Sequence, residues 1–295
     1  MRPSIAARRR EVTDTGRGEE CFGQLRVRTR GRSSTAPCYD PHLSAVSDVT
    51  LIPIAGLPEI KPGDDLALLL ASSLAAVGRA FEPGDVLALA QKIVSKSEGR
   101  LRRLADVVPG PDAERMAAES GKDPRHLQVV LDETARIVRW QRGVLIVETK
   151  HGFVCANAGV DHSNAGAPDT LVLLPVDPDA SAARIREAIR VRSGVDVPVV
   201  ITDTFGRAWR EGHMNVAIGI SGLPALRRYI GEFDPEGYEL RVTEIAIADE
   251  IAAATELVMG KLDRLPAAIV RGLPLPAGSE TARTYVRAHD KDMFR

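Results

Sequence analysis

From Val49 onward, short apolar runs of strand length alternate with amphipathic stretches of helix length, and several of the runs empty into polar segments that contain glycine. That rhythm predicts a mixed α/β (α+β) fold in which helices pack on sheet and strand ends gather the polar groups. No internal repeat interrupts it. The strand-like runs are VTLIPI, DVLALA, GVLIVET with GFVCA, VPVVITDT, MNVAIGISG and PAAIVRGLP. A helix is predicted in LPEIKPGDDLALLLASSLAAVGRAFEPGD, with Pro62 and two aspartates in its first turn and a stop before Glu82. QKIVSKSEGR reads as a polar loop after its strand. PDAERMAAES and PRHLQVVLDETARIV carry helical patterns, and DASAARIREAIRVRSG a helix capped by Asp179 or Ser181 and closed by Gly194. TEIAIADEIAAATELVMG reads as a long helix. Hairpins are expected about Lys150 to Gly152 and within RRYIGEFDPEGYELRV.

Residues 1–46 are rich in Arg, Ser and Thr and show neither period, which predicts a disordered tail ahead of one domain spanning 47–295. The acidic EVTDTGRGEE within it argues against a transit peptide. At 295 residues, 44% hydrophobic and 27% charged, the chain has material for one large domain. A net charge of -1 provides no general field for nucleic acid or anionic membrane, so neither is an expected partner. The run LALLLASSLAAVG falls short of the roughly 18–20 apolar residues of a membrane-spanning helix. Cys21, Cys38 and Cys155 have no CxxC spacing, which speaks against a zinc site or disulfide framework and for a cytoplasmic protein.

The densest polar chemistry lies in ITDTFGRAWREG, where Asp203 and Thr204 end a buried-looking strand and Arg207 and Arg210 follow. Carboxylate and hydroxyl oxygens suit a hard cation such as Mg²⁺ or Mn²⁺. Neighbours on a strand point opposite ways, so both serve one site only if the backbone turns there, as Gly206 permits, or else they serve two ions on either side. The plainer alternative is that Asp203 caps a turn and Thr204 packs. Asp161, in the loop NAGVDHSN, is a second carboxylate at a strand end, although such Asx-rich loops are commonly just turns. Lys92, Lys96 and Arg100 offer positive charge for phosphate, with a solvated strand-end lysine the default for Lys96. Neither a G-x-x-x-x-G-K-[ST] nor a G-x-G-x-x-G motif is present. His151 and His213 read as surface histidines, and Cys155, within FVCA, as a buried small hydrophobe.

The ordered set GLPEIKPGDDL, KIVSKSEGR, GKDPRHLQVVL, GFVCANAGVDHSN, VITDTFGRAWREG, VAIG and VMGKL…PAAIVRGL resembles the coenzyme F420-0:L-glutamate ligase family, from about Leu51 to the terminal DKDMFR. The resemblance implies GTP-dependent amide formation. The lactyl carboxylate of F420-0 becomes an acyl phosphate, and the amine of L-glutamate displaces phosphate, with further glutamates added in some members. It implies a fold of two interlocked lobes, a homodimer, Mg²⁺ or Mn²⁺ with K⁺ as a further cation, and GTP as co-substrate. Because the chain stops where fused members continue into a nitroreductase-like domain, a stand-alone form with no flavin is expected.

Position by position, the resemblance makes Asp161, Asp203 and Thr204 metal ligands, and Leu57, Pro58, Glu59, Ile60, Gln91, Lys96, Asn164, Met259, Gly260 and Lys261 the nucleotide-binding positions. Arg207 and Arg210 become anion contacts for the reacting groups. Two departures stand out: Gln91 takes the place of a serine, and Lys261 that of a glutamine ligand of a second metal. A protonated lysine cannot ligate a cation. Acids such as Glu211 and Glu250 are candidates for the general base, with a structural salt-bridge role as the alternative for each and the better reading for Glu250, inside a helix. Three other readings stay open: a related carboxylate–amine ligase with another acceptor, a nucleotide-binding module without turnover, and a metal-dependent phosphohydrolase.

Overall fold

The computed structural model describes residues 48–293. The tail assigned to residues 1–46 lies outside them. In chain order the elements are β1 (Thr50–Pro53), α1 (Leu66–Ala76), β2 (Val86–Ala90), α2 (Gln91–Ser97), β3 (Leu101–Arg103), α3 (Pro111–Ser120), α4 (Pro124–Asp132), β4 (Thr134–Gln141), β5 (Val144–Thr149) and β6 (Val154–Ala156). They continue as β7 (Thr170–Val172), α5 (Pro178–Ser193), β8 (Val199–Arg207), β9 (Arg210–Ser221), β10 (Arg227–Arg228), β11 (Glu244–Ile245), α6 (Ile247–Met259) and β12 (Ala267–Arg271). The expected mixed α/β class is what is found. Among the described residues no helix is long and apolar enough to cross a membrane.

The main sheet has the order β1-β12-β2-β8-β9, and its one parallel pair is β2 with β8. Both faces are covered. Strand alternation sends Leu87, Leu89, Val199 and Ile201 into a core with α1, α2 and α5, and Val86, Val200 and Val270 into another with α6. A third core is built between α2 and α5 in sequence, from α3, α4 and the meander β4-β5-β6, with Leu127, Val130, Leu145 and Val147 at its centre.

Several local expectations are corrected. α1 starts at Leu66 with Asp65 as its N-cap, whose carboxylate accepts from Leu68 N, so Pro62 lies ahead of the helix. QKIVSKS is not a loop but the helix α2, because Ile93 and Val94 have a core to fill directly beyond β2. The second half of PRHLQVVLDETARIV leaves the helix after Asp132 and pairs as β4 with β5, where Ile137 and Val147 sit opposite one another. The β-branched residues there pack better on a pleated surface than on a helix. α5 is capped by Asp177, which accepts from Ala180 N. Asp179, half-buried instead, accepts from Ile220 N and Ala282 N and so ties β9 and the C-terminal segment to the helix. The exit of α5 at Gly194, in the left-handed region, and the turn at Lys150 to Gly152 are as expected.

Candidate functional site

The parallel pairing of β2 with β8 ends where Ala90 lies opposite Thr202, and the residues that follow on both segments carry the chemistry. Ligand sites of α/β sheets gather at such carboxyl ends. The strand does not end at Thr204, as expected, but runs on to Arg207, and ITDTFGRAWREG forms the closing hairpin of β8 and β9. Asp203 pairs with Val216, Thr204 with Asn215, and Arg207 with Arg210 around a two-residue turn. A bulge at Ile218 and another beyond Gly206 leave the stretch between them regular. Alternation therefore splits Asp203 and Thr204 between the two faces of the sheet.

On the Asp203 side stand Asp161 and Lys92. Lys92, on the first turn of α2, places its Nζ 2.6 Å from Asp161 Oδ2 and donates to Ser163 Oγ at 2.7 Å and to the Ser163 carbonyl at 3.0 Å. Ser163 N donates to Asp161 Oδ1 at 2.8 Å, while the Asp161 backbone bonds Val172 in both directions. The Asx turn forms, and its carboxylate also serves a lysine from another element. Burial pushes the Asp161 carboxyl up, but the hydrogen bonds from Lys92 and Ser163 outweigh it and hold it below the ordinary carboxylate range. Asp203 responds oppositely. Burial raises its carboxyl to about 7, against lowering by the Thr204 backbone N–H, Lys92 and Lys261, with the Asp161 charge raising it further. Two carboxylates in one field with unequal protonation call for additional positive charge.

The donor set fits a hard divalent ion held by Asp161 and Asp203. Among the described residues no group of three or more His, Cys, Asp or Glu side chains converges. Two carboxylates with the remaining ligands from phosphate and solvent is the pattern of Mg²⁺ in nucleotide sites.

On the opposite face Thr204 Oγ1 donates to Asn215 Oδ1 at 2.7 Å, and Asn215 Nδ2 donates to Glu256 Oε2 at 2.8 Å. Lys261 closes the ring, donating to Thr204 Oγ1 and lying 3.2 Å from Glu256 Oε1. Thr204 and Lys261, expected at the site, thus meet each other. Asn215 and Glu256 were missed. The signal for Asn215 was a carboxamide inside the apolar run MNVAIGI, a residue that strands avoid unless it is bonded. The acid that α6 brings to the site is Glu256, whereas Glu250 is exposed on that helix and Glu211 is exposed near the hairpin tip.

Leu57 and Ile60 pack in or against the core that α1 fills, leaving Pro58 and Glu59 exposed. Lys96, read by default as solvated, is 7% exposed and ion-paired with Glu59. Gly166 lies against that pair, where a Cβ would come 3.2 Å from Glu59 Oε1. Gln91 is buried, accepts from Ser95 Oγ at 2.8 Å and has no partner for its Nε2. Asn164 is exposed at φ 55°, a left-handed position that asparagine tolerates. Met259 is buried at the end of α6, so what it offers a ligand is backbone; Gly260 follows at φ 59°, ψ -176°, a conformation suited to glycine. Arg207 spans its own hairpin, donating to the Glu211 carbonyl at 2.6 Å, and Arg210 is exposed beside it.

Cys155 and His213 are as expected, whereas His151, expected on the surface, is not fully exposed. Cys155 is buried and its thiol is pushed up to about 12 by burial and then by the Asp203 charge. His151 is half-buried and bonds the Pro175 carbonyl at 2.8 Å, while His213 is exposed.

Residues 56–272 match the family model described as F420-0:Gamma-glutamyl ligase. The chain is 47% identical over 242 residues to the coenzyme F420:L-glutamate ligase of Methanopyrus kandleri, covering 80% of this chain and 94% of that protein. It is 40% identical over 251 residues to the protein of the same name from Methanothermobacter thermautotrophicus, covering 84% and 99%. With that of Methanocaldococcus jannaschii the identity is 42% over 240 residues, covering 81% and 94%. The motifs that frame Asp161, Asp203 and Lys96 lie inside the matched span, and the chain belongs to the F420-0:gamma-glutamyl ligase family.

Proposed function

We propose that the protein joins L-glutamate to the lactyl carboxylate of F420-0, using GTP and an acyl-phosphate intermediate, and that it works as a homodimer of interlocked lobes with Mg²⁺ or Mn²⁺, and K⁺ as a further cation. The observation that carries this reading is the cluster of Asp161, Asp203 and Lys92 where the parallel pairing of β2 with β8 ends. A divalent ion there would neutralise triphosphate charge and act as a Lewis acid on the γ-phosphoryl group.

The chain's own residues do the rest. Lys92 and Lys96 supply cations on successive turns of α2, poised to exchange Asp161 and Glu59 for phosphate oxygens. The acceptor carboxylate attacks the γ-phosphorus, the β–γ bridge bond breaks and GDP leaves. The glutamate amine then attacks the acyl carbon, phosphate leaves, and one proton is lost from nitrogen. Deprotonation of that amine falls to a carboxylate of the site, with Glu256 better placed than Glu211 or Glu250. Thr204 presents its hydroxyl on the other face, where Lys261 provides the positive charge; a second ion there would have to displace it. Arg207 and Arg210, at the hairpin end, remain the contacts proposed for the outer anionic groups.

The test is isotopic. With ¹⁸O in the lactyl carboxylate of F420-0, the mechanism delivers one labelled oxygen to the released phosphate for each amide formed. Amide formation with unlabelled phosphate would remove the acyl phosphate, and GTP hydrolysis independent of glutamate and acceptor would favour a phosphohydrolase.

A further inference from the structure

A cleft of about 180 Å³ opens beside the β5–β6 turn, β8 and the C-terminal segment. Phe153, Phe205, Tyr285 and Val286 line it, together with Gly152 and Arg287. The chain has only six phenylalanines, so two of them, both half-buried, in one cleft is a marked concentration. They meet edge to face, with centroids 6.3 Å apart at 71°. His151, anchored to the Pro175 carbonyl, stacks nearly parallel on Phe153 at 6.1 Å. The Tyr285 hydroxyl is held by the Ala225 carbonyl and by Ala248 N, which fixes its ring. Gly152, at φ 94°, lets the C-terminal segment close on the turn, since a Cβ there would lie 3.2 Å from Val286 Cγ1. The aromatic walls are therefore preorganised.

Their position relative to the carboxylates is informative. Phe205 follows Asp203 by two residues on the same face of β8, on the order of 7 Å along the strand. The cleft is smaller than the roughly 300–1,000 Å³ that encloses a whole ligand, so it suits one end of a molecule whose other end reaches Asp203. Aromatic walls with fixed faces accept a flat conjugated ring, and of the lining side chains Arg287 alone carries a charge that suits a carboxylate or a phosphate. We infer that this cleft is the subsite for the planar fused-ring end of the F420-0 acceptor, with Phe153 and Phe205 as its specificity-determining contacts. The inference rests on the function proposed above. A guanine ring is the competing flat ligand; the Tyr285 hydroxyl is already engaged, which leaves Arg287 as the polar lining side chain for its edge, and the GTP arm of the test separates the two. The residues matched to nucleotide binding, Glu59, Gln91 and Lys96, gather at α2 and none of them lines the cleft.

Phe153→Leu and Phe205→Leu keep apolar volume and remove the π face. Each is expected to raise the KM for F420-0, and its Kd measured by calorimetry without nucleotide, about tenfold. The KM for GTP should stay at the wild-type value, which also reports an intact fold, and Phe153→Trp should restore acceptor binding. Unchanged acceptor KM in both leucine variants overturns the inference, as does a rise confined to GTP, which would place the base in the cleft. If the wild type binds F420-0 more tightly than both variants yet adds no glutamate, the cleft stands and the ligase reading falls. If the wild type does not bind F420-0, the cleft assignment falls with it.

Discussion

Lys92 is the residue on which the Asp203 side of the site turns, because its single ammonium serves Asp161, the Ser163 hydroxyl and the Ser163 carbonyl. Replacing it by methionine should lower glutamyl transfer by on the order of tenfold or more, since a charge-assisted contact to the reacting groups is lost. Thermal stability should change little, because the pair is partly exposed and screened. A large drop in melting temperature with activity per folded molecule retained would contradict the assignment. Asn215 carries the other face. It is 3% exposed and bonds Thr204 and Glu256 at once, so Asn215→Ala removes two hydrogen bonds from half-buried groups that keep Lys261, and it should cost about 1–3 kcal/mol in urea unfolding. Asp161 and Asp203 were legible as candidates from their places after strand-like runs. Their meeting with Lys92 was not, because Lys92 and Ser163 are 71 positions apart and nothing local encodes that pairing.

Elements were legible in proportion to how much of their geometry is local. α5 announces itself by its amphipathic period and its glycine exit, and only its cap was misplaced, at Asp179 or Ser181 instead of Asp177, because three capping residues follow one another at the helix start. The β8–β9 hairpin was unreadable for the converse reason: its turn holds Trp209 at φ 60°, where hairpins usually place glycine or asparagine. α2 was hidden because its polar residues look like a loop until β2 delivers them to the core. Packing between elements yields its own prediction. Gly219 of β9 meets the first turn of α5 so closely that a Cβ would lie 2.5 Å from the Pro178 carbonyl carbon. Gly219→Ala must push the helix off the sheet, and a loss of about 1–3 kcal/mol in chemical denaturation is expected; wild-type stability would show that α5 does not pack as described.

For the whole molecule, the mixed α/β class followed from alternating periods. The sheet order β1-β12-β2-β8-β9 did not, because it joins the two ends of the described chain. The third core adds a pH dependence. His126, on α4, has its ring held below the usual histidine range, first by burial and then by the Lys122 and His162 charges, partly offset by Asp123 and Asp161. The folded state therefore binds fewer protons than the unfolded chain between that lowered pKa and about 6.5, so stability rises with pH across this window and is lost as pH falls through it. His126→Gln should reduce the difference in melting temperature between pH 7.5 and pH 5.5. An unchanged difference would place the acid sensitivity elsewhere.

The central claim is that the carboxylates at the ends of the parallel pair drive glutamyl transfer to F420-0. Mass spectrometry of F420-0 incubated with the protein, GTP, L-glutamate and Mn²⁺ tests it most directly, with Asp203→Ala alongside. The expected result is addition of one or more glutamyl units, each accompanied by one GDP, that disappears in the Asp203 variant. Unmodified F420-0 with the wild type, or equal addition by the variant, would contradict it.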